Sequence, residues 1–384
     1  MNQRFYSLDV FRGATVAMMI LVNNPGSWEH IYYPLDHSSW HGCTPTDLVF
    51  PFFLFAVGNA MSFVITKIEA NGEINFWKKI IKRSLLIFLI GLFLNWFPFV
   101  RYNDAGNIVG ASFANLRFFG VLQRIALCYF FSSFIIHYFK GRKIFVICFV
   151  LLVLYWLLCI ISNPLDPFSI NGWFGTHIDK LIIGDNHMYH GEGIAFEPEG
   201  IMSTMTSIVQ VIIGYLVGNY IVKKGKTHEM LNSLFVSGCI LIFVGLCWNT
   251  VFPINKKLWT SSYTIYTSGL AIIILSLIIY IIEFKGKKGW WSHFFDVFGK
   301  NALFIFAMSF LIPKTLWLIR ISDGIYIDAK SKYIDPLTWF YEKVCKLFFS
   351  SDPRMGSLIY ALCFLGFTWI LAWILYKKKI YFKV

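Results

Sequence analysis

The stretch that decides the fold runs from His37 to Phe55 and reads HSSWHGCTPTDLVFPFFLF. Its first eleven residues are mostly polar and include two histidines and an aspartate, whereas its last eight are apolar. Elsewhere in the chain, apolar runs of roughly 18 residues or more recur, which is the signature of membrane-spanning helices. The pattern predicts a polar loop held between two segments that enter a membrane.

The composition of the whole chain supports this interpretation. Its 384 residues are 57% hydrophobic and only 14% charged, with a mean hydropathy of +0.60, whereas a soluble domain carries about 25% charged residues. We therefore expect an all-α, polytopic transmembrane helical bundle that forms a single domain over residues 1–384. The expected spans are 11–26, 47–66, 82–100, 117–138, 143–162, 200–222, 232–252, 262–283, 294–313 and 356–376. The apolar stretch 337–349 is too short to span and is expected to be an interfacial or re-entrant helix.

The basic residues predict how the bundle is oriented. The net charge is +13, and lysines and arginines concentrate in short segments that alternate spans would place on one side. By the positive-inside rule this side is cytoplasmic, and with ten spans both termini lie there. The polar loop 27–46 and the acidic segment 163–199 then face the other side. No basic face with interleaved aromatic residues is visible, so nucleic-acid binding is not expected.

Cysteine usage and glycosylation signals bear on the compartment. Most of the eight cysteines lie inside apolar runs, where they act as small hydrophobic residues, so we expect neither a disulfide framework nor a metal site. No Asn-x-Ser/Thr sequon occurs in the sequence. This favours a bacterial inner membrane over a glycosylated animal organelle.

The polar loop offers several chemical interpretations. His37 and His41 are four residues apart, a spacing that can serve zinc, but a zinc site needs a third ligand, and Gly42 and Pro45 make a continuous helix doubtful. Proton transfer suits a histidine in such a loop better, because its unperturbed pKa lies near neutrality. Asp47 either caps the helix that follows or orients a histidine.

Polar residues within the apolar segments are further candidates. Asn23 ends the first span, where it either satisfies backbone groups or orients a catalytic group and holds an oxyanion. Arg124 lies inside an apolar span with Gln123 beside it, and such an arginine forms an internal ion pair or faces a ligand. Asp9 and Arg12 are three residues apart and are expected to pair on one helix face, with Arg12 also able to meet a phosphate.

Two more groups lie at predicted helix ends. Glu197 and Glu199 precede the sixth span, where a carboxylate either favours the helix N-terminus or recognises a cationic or polyhydroxyl substrate. Lys300 and Asn301 lie near the start of the ninth span, on the predicted cytoplasmic side. There, Lys300 either reflects the positive-inside bias or helps to form a positively charged opening that binds a multiply charged cofactor.

Taken together and in order, these segments resemble the heparan-α-glucosaminide N-acetyltransferase family. The residues that carry the resemblance are Ser7–Gly13, Asn23, the long block His37–Pro51, Gly120–Arg124, Glu197–Ile201 and, more loosely, Gly299–Ala302. The resemblance implies a transmembrane enzyme that transfers acetyl from cytosolic acetyl-CoA to the amine of a terminal glucosamine on the far side. One departure stands out, because position 41 is His here where the lysosomal enzyme has Asn.

The resemblance implies that His37 matches the family's catalytic histidine and Asn23 its accompanying asparagine, and the sequence features described above supply the other expected site residues. His37, as general base or acetyl-carrying nucleophile, Asn23 and Asp47 are the expected catalytic residues. Acetyl-CoA is the expected donor, with no metal, and the expected donor-binding residues are Arg124, Gln123, Arg12, Lys300 and Asn301. The expected substrate-binding residues are Trp40, His41, Glu197 and Glu199. The expected partners are a glucosamine-terminated glycan such as heparan sulfate, or a smaller amino sugar, and the lipid bilayer, with a homodimer left open. The alternatives are a sugar transporter or permease and an O-acyltransferase of a cell-surface glycan.

Overall fold

The chain forms long α-helices. In the bilayer core no water can pair with backbone groups, and a single apolar segment satisfies its own backbone hydrogen bonds only as a helix. The computed structural model describes residues 5–103, 106–325 and 331–382. The α-helices of this part are α1 (Tyr6–Asn23), α2 (Val49–Glu69), α3 (Glu73–Trp96), α4 (Val121–Tyr138), α5 (Arg142–Ser162), α6 (Gly175–Ile183), α7 (Ile201–Lys224), α8 (His228–Asn249), α9 (Ser261–Ile279), α10 (Trp290–Lys300), α11 (Ala302–Leu316), α12 (Pro336–Phe340), α13 (Lys346–Phe348) and α14 (Pro353–Lys377).

Seven helices of the described residues are long and apolar enough to cross a membrane, namely α2, α4, α5, α7, α8, α9 and α14. A bent pair, α10 with α11, meets the same criterion as one unit. The remaining two of the ten expected spans coincide with α1 and α3. The helical, membrane-embedded character of the chain is therefore confirmed, whereas the count of ten spans and the cytoplasmic location of the termini stay predictions.

The connections between helices gather at two ends of the bundle. At one end lie the segments joining α1 to α2, α3 to α4, α5 to α7 and α8 to α9, and we call it the loop end. There, the indole of Trp40 donates to the carbonyl of Phe168 at 2.8 Å. At the opposite end, Glu69 after α2 contacts His137 of α4 at 2.9 Å. We call this the basic end, because its connections carry Lys140, Arg142, Lys143, Lys223, Lys224, Lys226, Lys285, Lys287 and Lys288.

The centre of the bundle is the pair α2 and α7. In their most apolar windows, 72% of α2 and 67% of α7 is buried, against 28% for each of α5, α8 and α14. Glycines allow this close approach: a Cβ built on Gly58 would lie 1.8 Å from the carbonyl oxygen of Val211, and one on Gly214 would lie 2.1 Å from that of Phe55. Such small residues at helix interfaces are typical of membrane bundles. Because α2 begins directly after the polar loop, this contact fixes one edge of the loop.

The ninth expected span, 294–313, is not one continuous helix. It is broken at Asn301, where α10 and α11 meet at 80°. The side chain of Asn301 donates to the carbonyl of Ile380 at 3.0 Å and accepts from the amide of Phe382 at 2.9 Å. The break therefore holds the segment after α14, and α10 packs instead against α1, where a Cβ on Gly13 would meet the carbonyl oxygen of Phe295.

Short elements complete the loop end. Two antiparallel hairpins pair Val100–Tyr102 with Ile108–Gly110 and Ile321–Ile325 with Ser331–Ile334. The stretch expected as a short helix at 337–349 is helical, since α12 and α13 are joined by a π-helical turn. Its depth in a membrane stays a prediction.

Candidate active site at the loop end

Asp47 organises the polar loop. Thr44 and Pro45 begin a 3-10 turn, Pro45–Leu48, and Asp47 is its third residue. Oδ2 of Asp47 accepts hydrogen bonds from the amide of Thr44 at 3.0 Å and from the amide of Ser38 at 3.1 Å. This is the capping arrangement that the sequence predicted for Asp47. It leaves the other carboxylate oxygen, Oδ1, directed at a second partner.

That partner is His37. Nδ1 of His37 lies 2.7 Å from Oδ1 of Asp47, which is only 1% exposed, whereas the His37 side chain is 36% exposed. Since an ionised carboxylate only accepts hydrogen bonds, Nδ1 carries the proton and Nε2 is left with its lone pair. A histidine held in this way can take up a proton or attack an electrophilic carbon.

A lysine from a distant part of the chain completes this cluster. Nζ of Lys256, in the connection between α8 and α9, lies 3.4 Å from Oδ1 of Asp47. It also lies 3.0 Å from Nδ1 and 3.5 Å from Nε2 of His37. Burial lowers the pKa of Lys256, and the negative charges of Asp47 and Glu199 oppose this shift. Lys256 was not among the residues singled out from the sequence.

The second histidine has different neighbours. Nδ1 of His41 lies 3.3 Å from the side-chain amide of Asn255, and burial lowers the pKa of this histidine. His41 and Trp40 line an open groove of about 560 Å³ together with Phe168 and Glu192. The two histidines therefore differ in their contacts. Among the described residues, no cluster of three His, Cys, Asp or Glu side chains could hold a metal ion.

The two glutamates expected to bind substrate are joined by one arginine. Arg117 donates to Glu197 through Nε at 2.9 Å and through Nη2 at 2.5 Å, and Nη2 also lies 2.6 Å from Glu199. Glu197 is fully buried. Burial raises the pKa of Glu197 to about 7 against the pull of Arg117. For Glu199, burial acts in the same direction, but the charges of Arg117, Arg124 and Lys256 outweigh it and lower the pKa.

Arg124 continues this charged network into the bundle. Its side chain is fully buried, and Nη2 donates to the carbonyl of Pro198 at 2.7 Å and to the hydroxyl of Ser203. The guanidinium also lies over the ring of Trp259, 5.0 Å from its centroid. In the described part of the chain, Nε and Nη1 of Arg124 have no hydrogen-bond partner, and neither has Nε2 of the adjacent Gln123. Buried donors of this kind are costly unless a ligand satisfies them.

Asn23 is not joined to the histidine by any hydrogen bond within the described residues. It is half-buried at the last position of α1, and its neighbour Asn24 folds back to the carbonyl of Ile20 at 2.8 Å. The orientation of His37 is instead set by Asp47. A role for Asn23 in binding an oxyanion stays a prediction.

The other expected donor-binding residues lie at the basic end, far along the chain from Arg124. Arg12 pairs with Asp9 at 2.9 Å, as the sequence predicted, and Nη2 also donates to the carbonyl of Gly299 at 2.7 Å. Lys300 contacts Asp9 at 2.9 Å, whereas Asn301 holds the segment after α14. Beside this cluster, Arg12, Asn59 and Lys67 line a cavity of about 360 Å³. The expected donor-binding residues are thus divided between two places.

Comparison with known proteins finds similarity to one family. The family model described as "Heparan-alpha-glucosaminide N-acetyltransferase, catalytic" matches residues 4–185. A relative of that name from Mus musculus is 26% identical over 437 aligned residues, which cover 99% of this chain and 60% of the relative. One from Homo sapiens is 28% identical over 360 residues, covering 79% of this chain and 52% of the relative.

The chain thus spans between about half and three-fifths of the length of these relatives. The family match includes His37, Asp47, Arg117 and Arg124. These similarities confirm the resemblance that the motifs of the sequence predicted: residues 4–185 match the catalytic region of the heparan-alpha-glucosaminide N-acetyltransferase family, and the chain is similar to members of that family over most of its length.

Proposed function

We propose that this protein transfers an acetyl group from acetyl-CoA to the amine of a glucosamine-type sugar at the loop end of the bundle. The observation that carries the proposal is the 2.7 Å contact between Nδ1 of His37 and the buried Asp47, within the residues that match the family's catalytic region. The name of these relatives supports the reaction class and the acceptor class.

The geometry of His37 suits both routes of acetyl transfer. In the covalent route, Nε2 attacks the thioester carbon, the carbon–sulfur bond breaks, and the CoA thiolate leaves and takes up a proton. The sugar amine then attacks the acetyl carbon, the bond to Nε2 breaks, and the freed Nε2 accepts the amine proton and passes it to solvent. In the direct route, Nε2 accepts the amine proton while the amine displaces CoA. In both routes Asp47 holds the ring and stabilises its cationic form.

The charge distribution supports donor entry from the basic end. The cavity beside Arg12 and Lys67 offers cationic side chains next to aromatic ones, such as Phe11 and Phe63, which suits a ligand that carries both phosphates and a base. Asn23 lies eleven positions after Arg12 in α1, about 17 Å along a helix. The unpartnered donors of Arg124 lie away from this cavity, beside the loop-end carbonyls of Pro198 and Gly200.

The groove at the loop end supports an amino-sugar acceptor. Trp40 presents an aromatic face, and Asp166 and Glu192 supply carboxylates beside it. Sugars pack on aromatic rings, while a carboxylate attracts an ammonium group. The positive-inside pattern further supports a cytoplasmic basic end, so that donor and acceptor would enter from opposite sides. The bacterial inner membrane stays the predicted location.

The test uses the full-length protein in lipid nanodiscs, with labelled acetyl-CoA and glucosamine as substrates. We expect acetylated sugar from the wild type and from His41→Ala, and none from His37→Ala. Mass spectrometry of products from several acceptors separates N-acetylation from O-acetylation.

Omitting the acceptor distinguishes the two routes. Labelled protein that is lost in His37→Ala supports the covalent route, and unlabelled protein supports direct transfer. If the wild type consumes no acetyl-CoA with any amino sugar, yet moves sugar across liposome membranes, the protein is a transporter and the proposal is wrong.

A further inference from the structure

Lys256 lies beside His37 in surroundings that make its own positive charge costly to bury. The Lys256 side chain is 23% exposed, and its Nζ lies 3.0 Å from Nδ1 of His37 and 3.4 Å from Oδ1 of Asp47. The short segment around it is rigidly built. The side chain of Asn255 accepts from the amide of Leu258 at 2.9 Å, and the amide of Asn255 donates to Thr260 at 3.1 Å. The lysine is therefore presented to His37 by a fixed turn.

The charges that face His37 come from three parts of the chain. Within its own loop, Asp36 accepts a hydrogen bond from the His37 amide at 2.8 Å. From the turn before α2 comes Asp47, and from the connection between α8 and α9 comes Lys256. Among them, Lys256 is the cation that approaches both ring nitrogens.

Two further titratable groups, Glu199 and Cys43, lie near this cluster, but only Glu199 adds a charge. Glu199, before α7, supports the charge of Lys256. Cys43 lies in the same loop as His37, but burial raises the pKa of its thiol to about 12, so that it is uncharged near neutral pH.

The two charges nearest the ring have opposite effects on His37. The carboxylate of Asp47 favours an imidazolium, which has no lone pair and can neither attack a thioester nor accept a proton. An ammonium at 3.0–3.5 Å from the ring nitrogens disfavours that second positive charge. With both present, Asp47 orients the ring while the charge of Lys256 opposes a second positive charge beside it.

We propose that Lys256 is a positioning residue that keeps His37 neutral and Nδ1-protonated at the pH of acetyl transfer. The inference rests on the proposed function, because only that function needs the lone pair of Nε2. The contacts on which it depends are nevertheless measurable without any turnover.

The experiment measures carbethoxylation of His37 by diethyl pyrocarbonate, which modifies only the neutral imidazole. Mass spectrometry follows the modification against pH in full-length protein. In Lys256→Met we expect the pH midpoint for His37 to rise by about one unit or more, since a charge at this distance from a partly exposed ring is only partly screened. Lys256→Arg keeps the charge and should restore the midpoint to within about 0.3 units. Acetyl transfer at pH 6 should fall more steeply in Lys256→Met than transfer at pH 8.

The matched control is Lys257→Met. Lys257 is the next residue of the same turn, but it contacts Glu192 at 2.7 Å instead of His37, so that the same loss of net charge should leave the His37 midpoint in place. Lys256→Gln is a second uncharged variant, to be used if Lys256→Met does not fold.

The outcomes separate the two proposals. An unchanged midpoint in the uncharged Lys256 variants, or an equal rise in Lys257→Met, overturns the inference. A shifted midpoint in a protein that never transfers acetyl supports the electrostatic role of Lys256 and overturns the proposed function instead.

Discussion

Asp47 holds His37 with one carboxylate oxygen and the loop backbone with the other. Oδ1 lies 2.7 Å from Nδ1 of His37, while Oδ2 accepts from the amides of Ser38 and Thr44. One buried side chain thus fixes both the shape of the loop and the tautomer of its histidine. The orientation of His37 thus follows from a contact within its own loop.

Asp47→Asn should therefore impair catalysis more than folding. The amide keeps an acceptor for the loop backbone, but it cannot stabilise a cationic ring, so we expect acetyl transfer to fall by about 10²-fold or more. The measurement is the rate of acetyl transfer with glucosamine, with the thermal midpoint recorded alongside. Asp36→Asn is the matched control, because the Asp36 side chain accepts from the backbone amide of His37 and an asparagine can still accept that bond. More than half of the wild-type rate in Asp47→Asn would show that Asp47 does not orient the catalytic histidine.

Arg117 is expected to be essential for stability, because it neutralises a glutamate that has no access to water. Removing one partner of a buried pair leaves an uncompensated charge and costs about 3–5 kcal/mol. We expect Arg117→Met to lower the free energy of unfolding by that amount, measured by denaturant titration in mixed micelles.

The control for this variant removes one of the two carboxylates that lose their partner, since Arg117 also pairs with Glu199. Arg117→Met combined with Glu197→Gln should recover at least half of the lost stability, since a neutral amide is much cheaper to bury. If the double variant is as unstable as the single one, the loss arises from packing, for example of Arg117 against Tyr189, and not from charge.

The residues that could be predicted from the sequence are those whose signals are local. The helices follow from apolar runs, the cap at Asp47 follows from Thr44-Pro45, and the pair Asp9 and Arg12 follows from a spacing of three residues. Each needs only neighbours in the chain. The break at Asn301 was missed because its cause, the contact with Ile380, lies 79 residues away.

The contacts that complete the candidate site join residues that are far apart in the chain. Lys256 meets His37 across 219 residues, and Arg117 meets Glu197 across 80. No periodicity links such positions, so their pairing could not be predicted. One signal could have singled out Lys256, however. The pair Lys256 and Lys257 lies in a connection that the charge pattern assigns to the non-cytoplasmic side, where lysines are disfavoured. A cation that breaks the positive-inside pattern deserves consideration as a site residue.

Asp179 gives the protein a pH dependence of stability that can be tested separately. This side chain of α6 is fully buried and accepts from the amide of Ile201 at 2.9 Å, and burial raises the pKa of its carboxyl to about 6. Because the folded state then binds a proton that the unfolded state releases near pH 4, stability is lost as the pH rises from about 4 to about 6, by roughly 3 kcal/mol. Asp179→Asn should abolish this loss.

We therefore expect Asp179→Asn and the wild type to be equally stable near pH 4. The stability advantage of the variant should grow up to about pH 7 and stay constant above that pH. Thermal unfolding across this range measures the difference. Asp185→Asn is the control, because that carboxylate is 58% exposed and exposed pairs contribute little. A difference that shrinks as the pH rises would contradict the assignment to Asp179.

The contact between α2 and α7 makes the sharpest packing prediction. A Cβ at Gly58 would lie 1.8 Å from the carbonyl oxygen of Val211 and 2.8 Å from the amide nitrogen of Tyr215. Both are backbone atoms, so no side chain can rotate away, and the helices must separate. We expect Gly58→Ala to lower the free energy of unfolding by about 3 kcal/mol, the upper part of the range for overpacked cores, and to weaken acetyl transfer because α2 carries the loop.

Gly366→Ala in α14 is the matched control for this prediction. A Cβ there meets no atom within 4 Å, and alanine is the better helix former by up to about 1 kcal/mol. The control should therefore be as stable as the wild type or slightly more stable, and equally active. Equal thermal midpoints for the two alanine variants would show that α2 and α7 can move apart without cost, and the polar loop would then be anchored by its own hydrogen bonds, such as those of Asp47 and Trp40.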